Sequence, residues 1–192
     1  FNSKNVFAHC VPCKGADEEG YVADLIVKDI LWLGHSELIV RGDNEPALQA
    51  LVQRALEVLR INTSVDKISD EQSPAYDSQS NGGTEVAVML IRGLFRTVRL
   101  CLEARVGKRI PAGHAMIPWL LGRTCFLLNI KSRGSDGHTA RARARGRPFG
   151  QKMLGIDESV IYKLPSKGPQ SAANMSARWA DAVFLGYSRT SN

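Results

Sequence analysis

Apolar residues along this chain switch between two spacings, and the switches mark its elements. Val6-Phe7-Ala8-His9-Cys10-Val11 predicts a strand that Pro12 and Gly15 end. Asp17 then suits a helix N-cap, with Glu18 and Glu19 favourable in a first turn. Val22, Leu25, Ile26, Ile30 and Leu33 fall on one helical face, and Gly34 stops that helix. Glu37-Leu38-Ile39-Val40 reads as a short buried strand. From Pro46, the residues Leu48, Leu51, Val52, Ala55, Leu56 and Leu59 mark an amphipathic helix. Residues 61–65 suggest another strand, and the polar residues 66–83 a mobile loop closed by Asn81-Gly82-Gly83. A long helix is expected over 84–106, with Val86, Met89, Leu90, Leu94, Val98, Cys101 and Leu102 apolar. A second helix is expected over 111–128, with Trp119 in the core. Strands at 159–164 and 182–187 flank a Ser/Gly/Pro/Ala-rich linker at 165–176.

Strand, helix, strand, helix in alternation is an α/β arrangement. In open α/β sheets ligands gather at the carboxyl ends of strands, which is where Asp43 falls. Asp43 is either a turn residue or a ligand, and Glu85 places a second carboxylate at a helix start. Glu85, Arg92, Arg96 and Arg99 follow one another at i, i+7, i+11 and i+14, a single stripe at helical period. That stripe is either a solvated face or a carboxylate with a phosphate track descending from it. Carboxylates prefer hard, oxygen-seeking ions such as Mg2+ or Mn2+. A pair of such ions serves phosphoryl transfer, and needs a third carboxylate to bridge it. Glycosidase chemistry also uses two carboxylates, but aromatic residues for sugar stacking are few.

Charge sharpens this picture. Residues 1–80 carry seven Lys/Arg against thirteen Asp/Glu, a net −6, whereas residues 81–192 carry eighteen against six, a net +12. A basic half suits a polyanionic partner, nucleic acid being the usual one, or else is a solvated surface. Within it, Ala140-Arg141-Ala142-Arg143-Ala144-Arg145-Gly146-Arg147 suits a helix end or an extended arm, and is either simply solvated or a phosphate contact. Cys10-Val11-Pro12-Cys13 has no second Cys or His pair at metal-site spacing, so Cys10 reads as a strand residue. The four cysteines suit a reducing compartment. No apolar run of about eighteen residues is present, so no spanning helix is expected. Neither a signal peptide nor an initiator Met opens the chain, which predicts an intracellular protein, nuclear or cytoplasmic, and a fragment of a longer one.

Five stretches together resemble the catalytic core of a retroviral or retrotransposon integrase, most similar to copia-type retroelement polyproteins. Arg41-Gly42-Asp43-Asn44-Glu45-Pro46-Ala47 resembles the segment around that family's second catalytic Asp. Residues 73–85, ending in Asn81-Gly82-Gly83-Thr84-Glu85, resemble the loop that leads into its catalytic Glu. Residues 119–129 resemble a helix ending in Leu-Leu-Asn, and 139–149 a basic segment ending in Gly-Arg-Pro. Residues 178–187 resemble the short strand unit after the core.

The resemblance implies a ribonuclease H-like α/β core, a mixed sheet flanked by helices, lacking its first strand or strands and carrying a short C-terminal β-rich appendage. It implies a partial core at 1–130, a basic connector at 131–158 and the start of a small β module at 159–192. It makes Asp43 and Glu85 catalytic metal ligands for Mg2+ or Mn2+. Asn81, Arg92, Arg96, Arg99, Arg141, Arg143 and Arg145 are the expected DNA contacts. The implied activity is DNA integration by strand transfer, in an assembly of like chains and without a membrane. Two departures stand out. No acid precedes Asp17, so the family's first catalytic Asp is missing and the fragment is expected to be inactive alone. The interval between Asp43 and Glu85, 41 residues (44–84), is a few longer than the family's. The alternative is a non-catalytic remnant that keeps the fold as a DNA-binding module.

Overall fold

The structure is a computed structural model, described over residues 3–43, 45–61, 65, 67–72, 82–165 and 176–188. It is a mixed α/β arrangement of five helices and two small sheets among those residues. Helix α1 spans Tyr21–Leu33, strand β1 Glu37–Gly42, helix α2 Pro46–Ile61 and strand β2 Lys67–Gln72. Helix α3 spans Gly82–Val106, α4 Ile117–Lys131 and α5 Ala140–Arg145, followed by strands β3 Glu158–Lys163 and β4 Trp179–Phe184.

Local chemistry fixes the first helix. Asp17 accepts from the N–H groups of Tyr21 and Val22, both at 2.8 Å, so it satisfies two donors of the first turn. Those bonds, Val22 first, hold its carboxyl below the usual carboxylate range against a smaller opposing effect of desolvation. Gly34 closes α1 in the left-handed region, at φ 71°, a conformation costly for other residues. Strands β1 and β2 pair in parallel, Leu38 opposite Ile68 and Val40 opposite Asp70. Parallel neighbours need a crossover, and α2 supplies it.

Hydrophobic burial falls into two clusters. Val22, Ala23 and Val27 of α1 meet Leu51, Ala55, Leu56 and Leu59 of α2, with Val40 and Ile68 of the sheet covering them. Leu102, Ile110, Leu120 and Ile156 form the second, joining α3 and α4 to the segment before β3.

Residues 3–15 run across both halves as a strap, not as a strand. The Asn129 side chain accepts from the Val6 N–H and donates to the Val6 carbonyl, each at 2.8 Å. One side chain thus gives Val6 what a neighbouring strand would have given. The strap continues with Phe7 edge-on to Trp32 at 5.7 Å and His9 bonded to Asp29 at 2.7 Å. Gly15 lies so close to α2 that a Cβ there would sit 3.1 Å from the Ala47 carbonyl oxygen. Cys10 and Cys13 are exposed thiols on this strap, so Cys10 is not the strand residue that the pattern suggests.

Further expectations are corrected. Strand β2 occupies part of the stretch read as a loop, and Ile61 closes α2 instead of opening a strand. Helix α4 begins at Ile117, not 111, because residues 111–117 form successive turns before Pro118 takes an early helical position. Trp119 is half exposed instead of core. On α3 the expected apolar face is covered at one end only: Leu102 is buried, while Val86, Met89 and Leu90 are exposed. Strand β4 starts three residues earlier than 182. Beyond it, Tyr187 packs among Phe126, Phe149 and Phe184 with ring centroids 4.8–5.1 Å apart, which fastens the C-terminal hairpin onto α4.

Candidate functional site

Asp43 and Glu85 line one open groove. Strand β1 carries the chain outward to Gly42 and Asp43, and α2 begins at Pro46, so Asp43 stands in the short turn between them. Glu45 fixes this turn from below: its carbonyl accepts from Leu48 and Gln49, and its carboxylate pairs with Lys14 at 2.6 Å. Glu85 lies in the first turn of α3, where a negative charge meets the helix dipole favourably. Arg92 and Arg96 follow on the same face of α3, one and two further steps along the groove. Leu48, Val88 and Met89 supply its apolar wall. The groove encloses about 820 Å³ and is open to solvent.

The predicted stripe therefore divides. Glu85, Arg92 and Arg96 reach the groove, and neither arginine has an ion-pair partner among the described residues. Arg99 does not. Its Nε donates to Glu103 Oε1 at 2.9 Å, and the same oxygen accepts the Ile110 N–H at 2.8 Å. These two bonds, Ile110 first, hold the Glu103 carboxyl below its usual range. Arg99 thus fastens the turn after α3.

The connector arginines are also turned to structural use. Arg141 is buried, its guanidinium 5.4 Å from the Phe149 ring centre and 6.0 Å from Trp32. Arg143 donates to Asp136 from Nε and Nη2, at 2.8 and 2.5 Å, and reaches the Ser3 carbonyl at 3.4 Å. Arg145 lies 4.3 Å over Trp32. The expected phosphate contacts of Arg141 and Arg143 are therefore not on offer at the surface. Of the two alternatives for Ala-Arg-Ala-Arg-Ala-Arg, the helix is the one formed, as α5, with Thr139 capping it through the Ala142 N–H. Asn81 lies outside the described residues.

Chemically, the groove presents two carboxylates beside the guanidinium groups of Arg41, Arg92 and Arg96. Both Asp43 and Glu85 are exposed carboxylates, the donor type that Mg2+ and Mn2+ prefer. They do not fit a bridged pair: among the described residues no three His, Cys, Asp or Glu side chains come together. Residues that periodicity did not single out are Arg123, Asn129 and Tyr187. Both Arg123 and Asn129 are buried on α4, but at six residues' spacing they lie on different sides of the helix, so no single apolar face marks them and nothing local says that a polar side chain there finds partners.

The site thus belongs to an α/β chain with an acidic pair and a basic track at a strand end. The catalytic core domain of BIV integrase, in a solved structure, is similar to this chain at 21% identity, over 74% of this chain and 79% of that one, with a TM-score of 0.45. No protein-family model matches the chain. No curated protein matches it. No helix among the described residues is long and apolar enough to cross a membrane.

Proposed function

We propose that this chain is an integrase-type catalytic core, of the copia-type retroelement class, that binds DNA along the groove containing Asp43 and Glu85. The reading is supported by one observation above others: Asp43 and Glu85, far apart in sequence, line the same open groove together with Arg41, Arg92 and Arg96. Asp43 and Glu85 would hold Mg2+ or Mn2+, which when bound supplies the positive charge for strand transfer at a phosphodiester. Arg92 and Arg96 would neutralise successive phosphates and hold the strand against α3. Thr84 and Arg41, also in the groove wall, can position the backbone of the same strand.

A second reading, a DNA-binding module without catalysis, is favoured by the lack of a third carboxylate beside Asp43 and Glu85 among the described residues. One set of measurements separates the two. Titrating the chain with Mn2+ in a calorimeter should give weak binding that Asp43→Asn and Glu85→Gln each abolish. Strand transfer to a target duplex should be absent from the chain alone and appear once a strand bearing a third Asp is supplied. Metal binding that survives both substitutions overturns the metal site. DNA binding that persists with no transfer under any supplied strand leaves the non-catalytic reading.

A further inference from the structure

A smaller cavity, about 200 Å³, lies where the strap, the end of α1, α4, α5 and the tail after β4 meet. None of its residues belongs to the groove of Asp43 and Glu85. Its wall is aromatic, with Trp32, Trp119, Phe126 and Tyr187, and two arginines are set into it, Arg123 and Arg141.

Both arginines are more than nine-tenths buried, at 8% and 6% exposed. Arg123 Nη2 donates to the Leu154 carbonyl at 2.5 Å, but its Nη1 has no acceptor, and neither has Arg141 Nε. No Asp or Glu lines the cavity, and neither arginine forms an ion pair with a described carboxylate. Loss of water depresses the pKa of both guanidinium groups; Tyr187 opposes this at Arg123, whereas Arg145 and Arg147 add repulsion at Arg141. Ring faces replace some of that water: Arg123 lies 5.6 Å from Phe126 and 5.8 Å from Tyr187. Ring faces do not cancel charge. Two buried cations without a counter-ion call for an anion.

We propose that this cavity binds a small aromatic carboxylate, its ring against the aromatic wall and its carboxylate answering the charge of Arg123 and Arg141. Size agrees with this class, since a dry cavity of roughly 150 Å³ accepts benzene and the extra space admits a carboxylate. Polarity agrees as well, because a mostly apolar cavity with a few converging donors selects a flat ligand with one charged end.

Benzoate is the probe, with benzyl alcohol as its neutral counterpart and acetate as the anion without a ring. Binding to the full chain is read by calorimetry, by melting temperature and by tryptophan fluorescence, since Trp32 and Trp119 both line the cavity. Benzoate should bind and raise the melting temperature, and each of the other two should bind about tenfold more weakly or worse. Arg141→Met should cost benzoate about tenfold in affinity and leave benzyl alcohol unchanged. Trp119→Ala, at a half-exposed position that tolerates substitution, should weaken benzoate while keeping its advantage over the alcohol. Equal affinity for benzoate and benzyl alcohol overturns the proposal, as does equal affinity for benzoate and acetate. So does the absence of any benzoate binding by the unsubstituted chain. None of these readouts involves DNA or metal, so the outcome stands apart from the function proposed for the groove.

Discussion

Asn129 directs both ends of its side-chain amide at one residue, Val6, and so ties the strap to α4. Asn129 is buried and Val6 half-buried, so removing the amide leaves the Val6 N–H and carbonyl without these partners in a partly dehydrated place. Each stranded group costs about 1–3 kcal/mol. Asn129→Ala should therefore lower unfolding stability in urea by about 2 kcal/mol or more; a loss under about 0.5 kcal/mol would show that the strap finds other partners. Acidic residues make a second prediction at this scale. Asp17, Glu103 and Asp136 all titrate below their ordinary range in the folded chain, Asp136 chiefly through its bonds to Arg143. A depressed folded pKa means stability that is complete above the ordinary carboxylate range and lost as pH falls through it. The urea midpoint should thus hold near neutrality and drop on going from about pH 5 to pH 3. Asp136→Asn should flatten part of that drop, and an unchanged profile would remove Asp136 from the account.

Elements differ in how openly the sequence declares them. Helices α1, α2 and α3 are legible because capping residues and helical spacing agree, as with Asp17 before α1 and Gly34 after it. Helix α2 also shows its inward face, and Leu56 and Leu59 are essentially inaccessible. Leu56→Ala should cost about 2–5 kcal/mol by leaving a cavity against α1, measurable by chemical denaturation. A cost near zero would mean that α1 and α2 can close the gap. Strand β2 is hidden because Lys-Ile-Ser-Asp-Glu-Gln has one apolar residue. Its strand state comes from pairing with β1, a partner that lies outside the local window. The strap misleads in the opposite way. Its apolar run looks like a strand, but Asn129, not a neighbouring strand, satisfies Val6.

At the scale of the molecule, charge is distributed as the sequence says, acidic in the first half and basic in the second. What that basic half can do is narrower than its sum. Arg99, Arg141 and Arg143 are committed to Glu103, to aromatic rings and to Asp136, which leaves Arg92 and Arg96 facing the groove. DNA affinity should fall with salt, and Arg92→Ala or Arg96→Ala should each reduce the slope of log affinity against log salt by about one. Arg143→Ala should leave that slope unchanged while lowering stability. A slope insensitive to Arg92 and Arg96, in fluorescence anisotropy across a salt series, would place the DNA elsewhere.

Read alone, the amino-acid pattern marks helices α1, α2 and α3, the position of Asp43 at a strand end and of Glu85 at a helix start, and the one-sided charge. Those features are local, set by period, capping and composition. Only the tertiary structure decided that Asp43 and Glu85 line a common groove, which arginines stay available and which are drawn inside. It also decided that Arg123 and Arg141 are buried around a cavity with no counter-ion among the described residues. Those outcomes depend on which side chains from distant parts of the chain compete for the same partner, and that competition is settled only when the elements pack.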